Sequence, residues 1–86
     1  MAYCYTYVLK SLKNGKLYIG FTNDINERVK RHNQGQVECT AKRRPLKLIY
    51  FEWCLNRDDA IEREKSLKSG FGRAYLKRRI SNLKSI

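Results

Sequence analysis

Acidic residues are scarce in this chain: eight Asp+Glu stand against 19 Lys+Arg in 86 residues, a formal net charge of +11. A compact domain so charged repels itself and attracts polyanions through counterion release, which makes nucleic acid the default partner. Long apolar runs are also missing, and none approaches the roughly 20 residues that a membrane-spanning helix needs. No stretch joins a long apolar face to a basic one, so no membrane partner is expected. The opening residues, MAYCYTYVLK, lack a basic segment ahead of an apolar one, and a secretory signal is not expected. Cys4, Cys39 and Cys54 are odd in number and form no CxxC pair, which argues against a disulfide framework and a zinc site. Buried free thiols in a reducing cytoplasm are the expectation. No linker, repeat or low-complexity stretch interrupts the chain, and its length leaves room for one domain, residues 1–86. Hydrophobic residues make up 42%, enough to fold and too many for a disordered tail.

What is present orders into short elements. Tyr3 to Leu9 is rich in Tyr, Val and Thr and reads as a strand. Lys13-Asn14-Gly15-Lys16 reads as a turn, with Asn-Gly supplying the positive φ of a tight hairpin, and Leu17 to Phe21 as the returning strand. Asp24 suits a helix N-cap, and Glu27 three residues on completes a pattern like a capping box. Ile25, Val29 and His32 follow at helical spacing, and Gly35 suits the helix end. After the basic loop Lys42-Arg43-Arg44-Pro45, Leu46 to Trp53 reads as a third strand. Asn56 can cap a second helix running to about Ser69 and stopped by Gly70 and Gly72. A third helix is expected from near Arg73, with Leu76, Ile80 and Leu83 inward and Lys77, Arg78, Arg79 and Lys84 outward. The order ββαβαα predicts a small α+β domain, a mainly antiparallel three-stranded sheet flanked by helices.

Charged and polar residues inside apolar stripes carry the functional signal, because a buried unpaired charge is costly. Glu64 shares a band with Ala60, Ile61 and Leu67, and the plain alternative to a functional role is an ion pair with Lys68 at i+4. Arg28 and His32, four apart, project from one helix face. An arginine is a fixed cation suited to clamping phosphate, and a histidine can donate to a phosphate oxygen or shuttle a proton. Tyr7 and Tyr18 lie on the two hairpin strands, and a phenol becomes a useful base only when cations or a metal favour its ionised form. Gly20 ends the second strand, either as a bulge or where a ligand approaches the backbone closely.

Together these residues resemble the GIY-YIG nuclease superfamily. Tyr5-Thr6-Tyr7 is a degenerate Gly-Ile-Tyr, and Tyr18-Ile19-Gly20 is an intact second motif 11 residues after Tyr7. Arg28 falls at the family's helix arginine, His32 follows it, and Glu64 stands at the place of the metal-binding glutamate. The chain is similar to compact stand-alone members, whose catalytic module is like the N-terminal nuclease of the ABC excinuclease. It departs from the pattern at Tyr5, where the family often has Gly, and at Phe21, where some members carry a catalytic lysine; Lys65, Lys68 or the basic loop are the substitutes at hand.

The resemblance implies an endonuclease hydrolysing phosphodiester bonds in DNA, with RNA left open, and possible structure selectivity in repair or recombination. It implies Glu64 as ligand of Mg²⁺ (or Mn²⁺), Arg28 on the scissile phosphate, Tyr18 as general base, Tyr7 orienting or sharing that role, and His32 hydrogen-bonded within the site. Lys42, Arg43, Arg44, Lys68, Lys77, Arg78 and Arg79 are expected as nucleic-acid contacts. A cytoplasmic monomer is expected, with a dimer as alternative. Two other classes fit the composition: a basic nucleic-acid-binding module without catalysis, and a basic structural or ribosome-associated protein.

Overall fold

A computed structural model describes residues 4–80. The elements run β1 (Cys4–Ser11), β2 (Leu17–Thr22), α1 (Ile25–Asn33), a 3-10 turn (Ala41–Arg43), β3 (Leu46–Cys54), α2 (Arg57–Lys68) and α3 (Gly70–Arg79). The sheet order is β2-β1-β3 and both pairings are antiparallel, which is the expected α+β architecture. The expected positions Tyr3, Leu83 and Lys84 lie outside the described residues.

The central strand is covered on both faces. Val8 joins Ile19, Leu67 and Leu76 in a core under α2 and α3. Tyr7 and Leu9 join Leu46 in a second core, with Val29 of α1 packed against it. This is why β1 is almost continuously buried instead of alternating. Asn33 fixes the end of α1 by pairing its amide with both backbone groups of Leu46, at 2.9 and 2.7 Å.

Local chemistry explains the boundaries, with three departures from expectation. The hairpin's positive φ belongs to Gly15 alone, at 76°, and Ser11 pairs with Lys16 across a four-residue loop, so Asn14 supplies no left-handed position. Asp24 caps α1 by accepting from Glu27 N, but the Glu27 carboxylate turns to Arg31 and the reciprocal half of a capping box is not made. The helix closes as foreseen at Gly35, φ 79°, where Gln36 N and Gly35 N donate to Arg31 O and His32 O. Asn56 caps α2 as expected. The third helix starts at Gly70, not near Arg73, because Ser69 caps it by accepting from Gly72 N. Gly72 is a packing residue: a Cβ there would stand 2.3 Å from Leu67 Cα. The cysteines are free, but only Cys4 is buried; Cys54 is half-buried and Cys39 exposed, since it sits in the irregular segment after α1.

Candidate active site

The hairpin and α1 bring four of the expected residues together. Tyr7 on β1 is fully buried, and its hydroxyl lies 2.9 Å from His32 Nε2 and 3.2 Å from Arg28 Nε. Arg28 and His32 reach it from one face of α1, one turn apart. Tyr18 packs its ring edge against His32, with centroids 4.9 Å apart, and stays half-buried. Tyr7 and Gly20 face each other across the β1–β2 pair. A Cβ at Gly20 would meet the Tyr7 hydroxyl at 2.8 Å, so the glycine makes room for the phenol itself, where the sequence had suggested a bulge or a ligand.

The polar chain has one self-consistent direction. Thr40, buried in the segment after α1, donates its hydroxyl to Val37 O at 3.4 Å and so accepts from His32 Nδ1 at 2.7 Å. That places the imidazole proton on Nδ1 and leaves Nε2 to accept from the Tyr7 hydroxyl, which in turn accepts from Arg28. Burial, with Arg28 adding repulsion, lowers the His32 pKa to about 4, so the ring is neutral. Burial is also the main force raising Tyr7 to about 12; Arg28 opposes it, while Tyr18 and Glu64 add to it. The Arg28 guanidinium is held more firmly protonated by the two phenols, Tyr7 first. Thr40 was not foreseen: it lies in irregular chain, where no periodicity marks an inward residue.

Glu64 on α2 lies close enough for its charge to act on Tyr7, yet its carboxylate is held by Lys68 Nζ at 2.6 Å, the i+4 pair weighed from the sequence. The lysine of that pair is 53% exposed, so it can leave at little cost. Among the described residues no cluster of three or more His, Cys, Asp or Glu could enclose a metal ion. A lone carboxylate suits a weakly held, oxygen-seeking divalent cation completed by water and substrate phosphate, and it does not suit a closed zinc cage.

The remaining cations are dispersed. Lys68 borders a hollow of about 200 Å³ with Tyr18, which brings it to the site. Arg43 lines one hollow and Lys42 with Arg44 another. Lys77, Arg78 and Arg79 end α3, where Arg78 borders a hollow with Arg63 and Tyr75, and the Arg79 charge acts on Glu52. The geometry does not bring these three to Tyr7. Phe21, at the place where some family members carry lysine, lies under the Arg57 guanidinium, 5.5 Å from its ring centre.

The model of the GIY-YIG catalytic domain matches residues 3–82. The chain belongs to the GIY-YIG family. The match spans both tyrosine motifs, the α1 arginine and the α2 glutamate, and the family is one of nucleases acting on nucleic acid. Similar proteins include UPF0213 proteins of Staphylococcus aureus strains COL and MW2, each 38% identical over 66 residues, covering 76% of this chain and 79% of theirs. The solution NMR structure of the UPF0213 protein BH0048 from Bacillus halodurans shares the fold with a TM-score of 0.51 and 28% identity, over 86% of this chain and 81% of that one. No described helix is long and apolar enough to cross a membrane.

Proposed function

We propose that this GIY-YIG domain, residues 1–86 acting as one unit, is a divalent-metal-dependent endonuclease that hydrolyses phosphodiester bonds in DNA. The observation that carries the reading is Arg28: a guanidinium held among two phenols and a neutral imidazole, with no ion-pair partner among the described residues. Such a cation is free to take a phosphate and to offset the charge that grows in the transition state.

The tyrosines divide the work. Tyr7, buried and donating to His32, is a holding group that orients Arg28. Tyr18, half-buried and packed on His32, is the phenol that water can reach, and it serves as general base with His32 fixing its ring. Glu64 would hold Mg²⁺ or Mn²⁺ once Lys68 swings aside, toward the phosphate. The bound cation would polarise the scissile phosphate and stabilise the leaving oxygen. Structure-selective cutting in repair or recombination, in the cytoplasm and as a monomer, is the setting we propose for it.

The test is a panel of labelled single-stranded, duplex, flapped and branched DNA incubated with Mg²⁺, Mn²⁺ or EDTA, alongside Glu64→Ala. Metal-dependent cleavage that vanishes in the variant is expected. The Glu64–Lys68 pair favours one second reading, a basic binding module without catalysis. That reading gains if DNA binds without a product under every metal.

A further inference from the structure

A second group of cations lies outside the Tyr7 cluster. Lys10, Lys16, Arg43 and Arg73 line a hollow of about 500 Å³ beside the hairpin, together with Leu17. No carboxylate among the described residues forms an ion pair with any of the four. Four cations converging without a counter-ion repel one another, a cost that a polyanion relieves. Leu17 and Arg73 also border the smaller hollow lined by Tyr18 and Lys68, so the two hollows adjoin.

The walls are fixed. The buried Ser11 hydroxyl donates to Arg43 O at 2.6 Å and accepts from Lys13 N and Asn14 N at 3.1 Å. Leu12 N donates to Pro45 O at 2.8 Å. One hydroxyl thus ties the hairpin loop to the basic loop across the open end of the sheet. Arg43 N donates to Thr40 O, whose side chain orients His32, so groove and site share one loop.

We propose that Lys10, Lys16, Arg43 and Arg73 form a track for the phosphodiester backbone of the nucleic-acid strand flanking the phosphate held at Arg28. The track leads past Lys68 to Tyr18. Its direction rests on the nuclease reading; its affinity for a polyanion does not. The hairpin loop separates Lys10 from Lys16, and the elements from β2 through α2 separate Lys16 from Arg73, so only the fold gathers them.

The experiment measures binding of fluorescent DNA and RNA oligonucleotides of equal length in EDTA across a salt series. The variants are Lys16→Ala/Arg73→Ala, both exposed positions, and Lys30→Ala, which removes a charge from the outer side of α1. Thermal unfolding confirms that each is folded. The double variant is expected to flatten the log–log salt slope by about 1.4 to 1.8, from roughly 0.7–0.9 per lost phosphate contact, with Lys30→Ala unchanged. Equal losses for DNA and RNA mean that the backbone is read; loss on one alone overturns a pure backbone track. An unchanged slope in the double variant, or an equal drop in Lys30→Ala, overturns the track. Adding Mg²⁺ to the same samples reads cleavage separately, so a failed track and a failed nuclease are told apart. Wild-type protein that binds neither strand overturns both.

Discussion

Two clusters of tyrosine and arginine flank the sheet, and they differ in what occupies the arginine. On the α2–α3 face, Arg63 meets Glu52 twice, at 2.7 and 2.9 Å, and stacks 4.7 Å above the Tyr75 ring. Tyr50 donates to the same carboxylate and touches Tyr75. Glu52 is thus shared by Arg63 and Tyr50, and it is the first cause pushing the Arg63 pKa further up. On the α1 face, Arg28 donates to Tyr7 and forms no ion pair among the described residues, and the nearest acid of the proposed site, Glu64, is engaged elsewhere. The first arginine staples β3 to its helices. The second is left with donors to spare, which is the condition for binding phosphate. Residue type did not separate these roles; the presence of a carboxylate partner did.

The widest break between the clusters comes from Arg28→Ala. Cleavage should fall by roughly 10²–10³-fold, as when one preorganised donor to a developing charge is removed. The melting temperature should stay near wild type, because no ion pair is lost. An Arg28→Ala protein that cleaves normally would place the phosphate elsewhere.

Gly20→Ala tests the packing of the same cluster. Its Cβ must displace the Tyr7 hydroxyl, and a shift of that size costs on the order of 10- to 100-fold in turnover. Turnover equal to wild type would mean that the position of the Tyr7 phenol does not matter.

Glu52→Ala sharpens the other side. It leaves Arg63 and Tyr50 without their acceptor and should cost about 1–2 kcal/mol given the pair's partial exposure. For a domain of this size that is on the order of 5–15 °C in Tm, with cleavage per folded molecule unchanged. Equal damage to cleavage would show the clusters to be coupled.

The α1 cluster also makes stability depend on pH. His32 has its pKa lowered from 6.5 to about 4, so the unfolded chain binds this proton more readily and stability is lost as pH falls from 6.5 toward 4. Tyr7 is raised from 10.0 to about 12, so its contribution is lost as pH rises across that interval. Denaturant unfolding should show a plateau between, and His32→Asn should flatten the acid limb. An acid limb that survives this substitution would assign it to other groups.

Much of this was legible in sequence, for identifiable reasons. Asp24 and Asn56 cap helices through bonds to residues three positions on, and Gly35 closes α1 locally, so short-range chemistry decided each. Arg28 and His32 share a face because helix geometry fixes it. What was misread is tertiary. Gly72 resembles a helix stop, but it lies within the first turn of α3 because Leu67 leaves no room for a side chain. Thr40 has no periodic neighbour to betray it, and its role appears only once the loop folds under His32. The groove of Lys10, Lys16, Arg43 and Arg73 spans separate elements, so no local pattern could announce it.

The most direct measurement is the side-chain Nε–H resonances of Arg28 and Arg63 in a ¹H–¹⁵N spectrum, followed as a short DNA strand is added in EDTA. The account predicts a saturable shift at Arg28 with Arg63 unmoved, because one guanidinium awaits a phosphate and the other already holds Glu52. A shift at Arg63 with none at Arg28 would contradict it.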